Sequence, residues 1–406
     1  MLKNQAGQPG GARAAARFRA TLAATQVALS MALLVAAGLF IRSLYNVSRV
    51  DLGLDTSQLV TFTVSPDLNG YTPAQSIAFF ERVEAAVAVL PGVSSVSAST
   101  VPLISGSNWN SSVSVQGFDA GPDTNTSASF SRVGPGFFKT LGIPLIAGRE
   151  FTAADAAGRP DVAIVNEAFV RKFNLGDHAV GSHMSTGGRE TPLDIEIVGL
   201  VQDAKYSEVK NAVPPQFFQP YRQDERAGSI SFYARATGDA AALLSSVQAA
   251  VRALDPNLPI ENPKTMQQQV RENVFIDRMI SSMSALFAVL ATLLAAVGLY
   301  GVLAYTVTQR TREFGLRMAL GADGASVRGI VLTQVARLTV IGGLIGLVAA
   351  VALGRGAQSL LFELQGWDPA VLAASAVLLG VVAMSAGLVP ALRASRIEPM
   401  VALRED

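Results

Sequence analysis

The chain contains no cysteine and only two histidines, which excludes several kinds of site. Without cysteine there is neither a disulfide framework nor a thiolate-ligated metal centre. His178 and His183 are five residues apart in a glycine-containing loop, and they lack the i, i+4 spacing of a helical zinc pair. No G-x-x-x-x-G-K-[ST] motif occurs in the sequence. The chain therefore cannot bind ATP through a P-loop of its own.

Charged residues are also scarce, at 16% of the chain against about 25% in soluble domains. The net charge of +1 gives no indication of nucleic-acid binding. The deficit is concentrated in four uncharged runs, which are residues 20–41, 279–309, 338–354 and 369–392. An apolar helix needs roughly 20 residues to cross a bilayer. The third run reaches that length by including residues 329–336, with Arg337 either snorkelling or facing protein.

The spacing of these runs predicts an α-helical membrane protein with four transmembrane helices in a 1+3 arrangement and a large α+β external domain. The predicted spans are residues 20–41, 279–306, 329–354 and 370–391, and the external segment is 42–277. The first run is too long for a secretory signal core and ends at Arg42 instead of a small-x-small site. We therefore expect it to remain as an anchor.

The lysines and arginines near the spans predict the orientation of the chain. Four precede the first span, four follow the second and three follow the last: Lys3, Arg13, Arg17, Arg19, Arg310, Arg312, Arg317, Arg328, Arg393, Arg396 and Arg404. Residues 1–19, the loop 307–328 and the C-terminus are accordingly expected in the cytoplasm. Arg42, Arg49 and Arg278 flank the spans on the other side, against this rule.

Small residues recur at every fourth position within the spans, a pattern that lets helices approach closely in lipid. The predicted packing residues are Ala24, Ala28, Ala32, Gly342, Gly346 and Ala350. Alanine and glycine are common in any such helix, but the repetition favours close packing within the chain or between two copies. No Asp, Glu, Lys or His lies in the middle of a span, so neither an ion-coupled transporter nor a polar channel fits.

Alternating and helical patterns indicate two subdomains in the external segment. Strand–helix–strand units occur at both of its ends, and residues 118–227 between them are predicted to form an inserted subdomain. The predicted strands are 59–65, 93–99, 161–166, 194–202 and 229–236, and the predicted helices are 73–90 and 239–254. Ser105-Gly106-Ser107 lacks a nucleophile-elbow pattern, and solvated turns account for Asp155, Asp161, Asp177 and Asp194. No catalytic or metal-binding residue is predicted.

The segment 308–322 predicts a short helix with a charged stripe between two apolar strips. Glu313 and Arg317 are four residues apart in the favourable order, with Arg310 beside them. Gly321 would end the helix. The strips are Phe314 with Met318 and Leu316 with Leu320. Such a helix needs a protein partner to cover it, or it lies on the lipid surface.

Two motifs resemble the FtsX/MacB-type ABC transporter permeases: GLYGVLAYTVTQRTREFGLRMALGA (298–322) and the tail PALRASRIEPMVALRED (390–406). Further segments resemble the MacB-like periplasmic core of the duplicated orphan permeases, among them FFKTLGIPLIAGREFTAAD (137–155) and AVRALDPNLPI (250–260). The resemblance covers nearly the whole chain. The chain differs from MacB, which carries an ATPase domain in the same polypeptide, and from the duplicated permeases, which contain two such units instead of one.

The resemblance implies a permease that binds no cofactor itself and works with a separate ABC ATPase in trans, which would bind ATP and Mg²⁺. It also implies a location in a bacterial inner membrane, in contact with lipid, a second permease chain in a homo- or heterodimer, and a periplasmic adaptor. No nucleic-acid partner is expected. The implied ATPase contact is Arg312, Glu313, Phe314, Gly315, Arg317, Leu320 and Gly321.

The expected function is therefore extracytoplasmic export, efflux or lipoprotein release by mechanotransmission. The alternative is a transmembrane signalling subunit that activates an external partner such as a cell-wall hydrolase. A membrane-anchored enzyme or a non-functional half of a duplicated permease is a further alternative. A groove on the external domain would favour export, and an exposed apolar patch would favour partner activation.

Overall fold

The computed structural model describes residues 9–121, 123–187, 191–224 and 226–396. They form two compact units: a core unit of residues 50–275, and a membrane unit of the described residues up to 49 and from 276 onward. Lys3 and Arg404, which contributed to the predicted orientation, lie outside the described residues, as does the tail motif from residue 397.

The helices and strands of the described residues are numbered here in chain order. The helices are α1 (Pro9–Val47), α2 (Pro73–Ala88), α3 (Phe137–Leu141), α4 (Glu167–Lys172), α5 (Ala240–Leu254), α6 (Met266–Asn273), α7 (Phe275–Gln309), α8 (Thr311–Ala319), α9 (Gly324–Gly356) and α10 (Pro369–Ala394). The strands are β1 (Leu59–Val64), β2 (Val93–Ser99), β3 (Asn110–Val115), β4 (Ser127–Val133), β5 (Leu145–Gly148), β6 (Val162–Asn166), β7 (His183–Thr186), β8 (Ile195–Val201), β9 (Gln216–Pro220), β10 (Ile230–Ala236) and β11 (Ile260–Thr265).

Four helices of the described chain, α1, α7, α9 and α10, are long and apolar enough to cross a membrane, as predicted. Each extends beyond its predicted span into its polar flanks. The third span is continuous through residues 329–336, and Arg337 on it is exposed within this chain.

The first and last spans are joined by a charge pair. Arg42, near the end of α1, donates a 2.7 Å hydrogen bond to the carboxylate of Asp368. Asp368 also caps α10, since its side chain accepts from the backbone N–H of Val371, and Pro369 occupies the first helical position. Arg42 therefore has a structural partner that accounts for its position against the charge rule.

In the core unit, both predicted strand–helix–strand units are confirmed. The strands β11, β1, β10 and β2 are adjacent in that order and antiparallel, which is the ferredoxin-like arrangement of two interleaved units. The helix α2 begins with a capping box between Thr72 and Gln75. It buries Phe80 and Val83 with Phe232 of β10 in one apolar core.

The inserted subdomain has its own apolar core, which includes Val113, Phe169 and Phe217. Its strands continue the same sheet in the described residues, with parallel pairing of β4 with β9 and of β6 with β8. The strand β3, which begins at Asn110, pairs with β4 and β7 and so belongs to this part of the sheet. Its apolar alternation is short, with only Val113 and Val115 buried between serines, and sequence reasoning passed over it.

Candidate functional site

The helix α8 ends at Ala319, with Leu320 as its cap residue, as the glycine at position 321 predicted. Gly321 has a φ of 95°, and its N–H donates to the carbonyl oxygen of Met318 at 3.0 Å. The N–H of Ala322 donates to Arg317 at 3.0 Å, which completes a Schellman motif. The prediction that Gly321 caps this helix is confirmed.

The predicted charged stripe on α8 is also present. Arg317 lies 2.7 Å from Glu313, and Arg310 lies 3.9 Å from the same carboxylate. The side chains of Glu313 and Arg317 are nearly half exposed, and exposed pairs of this kind contribute about 0.3–0.5 kcal/mol each. The pair therefore adds little stability and instead fixes which charges α8 presents to solvent.

The two apolar strips of α8 have different environments. Phe314 is only 2% exposed, within the same apolar cluster as Leu303 and Val327, and Met318 packs against that cluster. Gly315 is buried as well, so two of the seven predicted ATPase-contact residues lie inside this chain. Leu316 and Leu320 are 52% and 80% exposed. Only the strip of Leu316 and Leu320 is therefore accessible to a partner, whereas the sequence analysis expected both strips to be accessible.

The predicted packing residues of α1 and α9 are brought together. A Cβ on Gly342 would lie 2.6 Å from the carbonyl oxygen of Ala24, and one on Gly346 would meet the carbonyl oxygen of Ala28. The same register one turn further on places Ala32 opposite Ala350, and both are buried. The two parallel helices thus meet along their small residues, as membrane helices do when their backbones approach closely.

Two hydroxyl groups that sequence reasoning passed over join α1 to α7. Ser30 donates to the carbonyl oxygen of Ala291 at 2.7 Å, and Ser281 donates to Phe40 at 3.0 Å. Both serines are buried. In a bilayer each such hydroxyl needs an internal partner, and each interhelical bond contributes on the order of 1 kcal/mol. Serines inside an uncharged run were the available signal for this contact.

The core unit carries a groove of about 540 Å³ on the sheet face that carries Thr63 and Ser231. The two hydroxyl groups are 2.7 Å apart on its floor. Trp109, which is 45% exposed, lies against Phe130, and Arg132 is bonded to Asp224 at 3.0 Å in the same lining. The groove therefore combines hydroxyl groups, an accessible aromatic face and paired charges.

Two carboxyl groups of the core unit, those of Asp155 and Glu84, have pKa values shifted from the usual value. Asp155 is 7% exposed and accepts two hydrogen bonds from Arg149, at 2.8 and 2.9 Å, which corrects its assignment to a solvated turn. Burial acts to raise the pKa of Asp155, but the bonds from Arg149 and Thr152 outweigh it and hold that pKa below its usual value. Burial raises the pKa of Glu84, despite its bond from Arg222.

The remaining sequence-predicted positions have no shared site. His178 lies in a short turn, and His183 begins β7 instead of lying in a loop; both are exposed. Ser105 and Ser107 belong to a surface loop in which Gly106 has a φ of 82°. In the residues described, these side chains line the core unit's surface and are not assembled with a base.

Comparison with known proteins assigns the two parts of the chain. The family model of the MacB-like periplasmic core domain matches residues 20–254, and that of the FtsX-like permease C-terminal domain matches residues 285–399. The fold and the four apolar helices thus define a membrane-embedded ABC transporter permease with an α/β core domain. The chain belongs to the FtsX/MacB-type permease family.

Individual relatives are distant. The chain is 25% identical over 281 residues to the pyoverdine export ATP-binding/permease protein PvdT of Pseudomonas entomophila, covering 65% of this chain and 41% of that protein. It is 22% identical over 295 residues to the uncharacterized ABC transporter permease YknZ of Bacillus subtilis, covering 70% and 72%. The solved periplasmic region of MacB from Actinobacillus actinomycetemcomitans aligns at 16% identity with a TM-score of 0.37, covering 57% of this chain and 98% of that structure. The chain thus spans about two fifths of the length of PvdT.

Proposed function

We propose that this chain is the permease subunit of an ABC transporter in which a separate ATPase drives extracytoplasmic export, efflux or lipoprotein release. The observation that carries the proposal is the exposed pair Leu316 and Leu320 on a helix whose other side is fixed inside the chain by Phe314. Leu316 and Leu320 are four residues apart on one side of α8, which is the spacing of the apolar anchors that a helix inserts into a groove of a partner protein.

The mixture of residues on the exposed side of α8 favours a protein partner over lipid. A helix that lies on a membrane separates a broad apolar face from its charged face. Here Leu316 and Leu320 stand on the same exposed surface as Glu313 and Arg317. Burying that surface in lipid would bury the charges too, whereas a protein can supply a complementary charge for each.

The ATPase contact consists, in this proposal, of Arg312, Glu313, Leu316, Arg317 and Leu320, with Gly321 ending the helix. Phe314 and Gly315 anchor α8 to the membrane unit, so that a movement of the ATPase moves the spans. ATP and Mg²⁺ belong to the partner. The chain pairs with a second permease chain, its termini lie in the cytoplasm, and the core unit lies in the periplasm, in contact with substrate or an adaptor.

Export is favoured over activation of an external enzyme by the groove of the core unit. Its lining offers hydroxyl groups, an aromatic face and paired charges, which suit a ligand with both polar and apolar parts. The relative PvdT is a pyoverdine export protein, which supports the same direction. Mechanotransmission fits the spans, whose middle segments contain no Asp, Glu, Lys or His to form an ion path.

The test is affinity purification of the tagged chain from its native membrane with whatever ATPase accompanies it, followed by ATPase assays in nanodiscs. We expect Glu313→Arg and Leu320→Ser each to reduce both co-purification and stimulated hydrolysis at least tenfold. Val89→Ser is the matched control, because Val89 in the core unit is also 80% exposed. Stimulation that survives both α8 variants would contradict the proposed contact. An external enzyme in place of an ATPase would support the signalling alternative.

A further inference from the structure

The helix α6 connects the core unit to the second membrane span, since it ends at Asn273 and α7 begins at Phe275. The side chain of its last residue, Asn273, is hydrogen-bonded to other parts of the core unit. The Asn273 side-chain amide donates to the carbonyl oxygens of Ile104 and Ser207, at 3.3 and 3.4 Å, and accepts from the N–H of Val209 at 3.0 Å. One side chain therefore holds two separate loops at the residue where the chain leaves for the membrane.

Both loops lead into the inserted subdomain. Ile104 lies between β2 and β3, and Ser207 lies between β8 and β9. The two loops are bonded to each other as well, since the N–H of Ile104 donates to Tyr206 at 2.7 Å and that of Gly106 donates to Ser207 at 2.9 Å. Asn273 thus contacts a paired structure and not two independent loops.

Tyr206 extends this connection into the centre of the inserted subdomain. Its ring is 2% exposed, and its hydroxyl group donates to the carbonyl oxygen of Phe130 in β4 at 2.7 Å. The same hydroxyl group accepts from the N–H of Trp109 at 3.2 Å. Burial raises the pKa of Tyr206, so the phenol keeps the proton that it donates. Trp109 and Phe130 both line the groove of the core unit.

The backbone of Ile104 is strained at this point of contact. Its φ is 53°, in the left-handed region that a β-branched residue rarely adopts, and its side chain is fully buried. Such a conformation persists only when its surroundings hold it. Here Gln269 of α6 donates to the Ile104 carbonyl oxygen at 3.0 Å, beside Asn273. The N–H of the preceding residue, Leu103, donates to the buried Tyr233 hydroxyl group at 2.8 Å.

We propose that Asn273 is a positioning residue that couples movement of the second membrane span to the groove, through Ile104, Ser207 and Tyr206. The inference rests on the proposed function, because the driving movement is that of an ATP-coupled permease. A displacement of α7 acts directly on α6 through the continuous chain. The two donated bonds of Asn273 then move the paired loops, and Tyr206 carries that movement to the backbone of Trp109 and Phe130.

The variant that tests this is Asn273→Asp in the full chain. An aspartate of the same shape keeps the acceptor for Val209 but loses both donated bonds and places a carboxylate against two carbonyl oxygens. Gln269→Ala is a milder second variant, which removes one bond to Ile104. Gln267→Ala is the control, because Gln267 is exposed on the same helix.

The measurement is amide hydrogen exchange of the full chain in nanodiscs, first without nucleotide. Relative to Gln267→Ala, we expect Asn273→Asp to speed exchange about tenfold in residues 101–109 and 205–209 and also in β4, as the loss of about one net hydrogen bond implies. Faster exchange confined to residues 104 and 207–209, with β4 unchanged, would contradict the proposed connection.

The second measurement repeats the exchange with the co-purified ATPase and ATP. The wild type and Gln267→Ala should show a nucleotide-dependent change in β4, and Asn273→Asp should lose that change while ATPase turnover stays within about twofold. If Asn273 had only a structural role, Asn273→Asp would lower both ATPase turnover and the nucleotide-dependent exchange change in β4. A wild-type-like nucleotide response in Asn273→Asp overturns the role of Asn273. If no ATPase is stimulated by the wild type, the proposed function fails instead, and the nucleotide-free result still decides whether the connection exists.

Discussion

Gly342 of α9 lies so close to α1 that a Cβ on it would come within 2.6 Å of the carbonyl oxygen of Ala24. The same Cβ would be 2.8 Å from the Cβ of Val27. Both contacts involve atoms that cannot rotate away, so an added methyl group can be accommodated only if the helices separate. The absence of a side chain at Gly342 is therefore what permits the packing of the first and third spans.

We expect Gly342→Ala to lower the thermal stability of the full chain in nanodiscs by about 1–3 kcal/mol, the usual cost of overpacking. Gly329→Ala on the same helix is the control, because a Cβ there meets nothing within 4 Å. Alanine is the better helix former by about 1 kcal/mol, so the control should be neutral or stabilising. Equal melting temperatures for the two variants would show that α1 and α9 are not packed this closely.

Gly321 permits a second prediction, which concerns the end of α8. Its φ of 95° is unfavourable for any residue with a Cβ, and the strain of a left-handed conformation costs roughly 1–2 kcal/mol. Gly321→Ala should therefore loosen the last turn of α8, which carries Leu320. We expect stimulated ATP hydrolysis to fall severalfold while membrane insertion is unchanged.

Gly301→Ala is the control for that variant, since Gly301 on α7 has open space around it and no unusual backbone conformation. Amide exchange of residues 311–322 would report the loosening directly. Unchanged exchange in Gly321→Ala would mean that the two backbone bonds of the Schellman motif hold the turn without glycine.

Features that depend on neighbours in sequence were predictable here. Hydrophobic length identified the four spans, alternation identified β1, β2 and β10, and an i, i+4 charge pair with a following glycine identified α8 and its end. Each of these features is determined by interactions within one element, and the local sequence contains all the residues involved.

Features that depend on distant partners were not predictable. Phe314 has the same apolar character as Leu320, and only the packing of the spans shows that one is buried and the other exposed. The pair of Asp155 with Arg149 spans only six residues, but it lies in a loop without a repeating period, so the sequence did not predict it either. Asn273 has no local signal at all, because its partners are Ile104 and Ser207, more than 60 residues away.

The Asp155–Arg149 pair predicts how stability depends on pH. Because the pKa of Asp155 is lowered in the folded chain, its contribution is complete above the unfolded value of about 3.9 and is lost as the pH falls through the lower folded value. Asp155→Asn should cost about 1 kcal/mol at pH 7, the net contribution of a hydrogen bond, because Arg149, which loses its charged partner, is half exposed. It should also flatten the loss of stability between about pH 4 and pH 2.

This can be followed as unfolding by Trp109 fluorescence in a Trp367→Phe background, since the chain has only two tryptophans. Asp161→Asn is the control, because Asp161 is an exposed carboxylate of the same subdomain. If both asparagine variants lose stability with falling pH as steeply as the parent, the bonds from Arg149 do not hold the Asp155 carboxylate ionised.

The predicted orientation can be tested with single cysteines, because the chain has none of its own. Ser112 in the core unit and Ser326 near the start of α9 are both exposed in the structure. Burial therefore hides neither position, and any difference in labelling reports the side of the membrane. We expect an impermeant maleimide to label Ser112→Cys in cells with a permeabilised outer envelope and to leave Ser326→Cys unlabelled. Disruption of the inner membrane should make both label equally, and the reverse pattern in intact spheroplasts would place α8 and its exposed leucines outside the cytoplasm, where no ATPase could reach them.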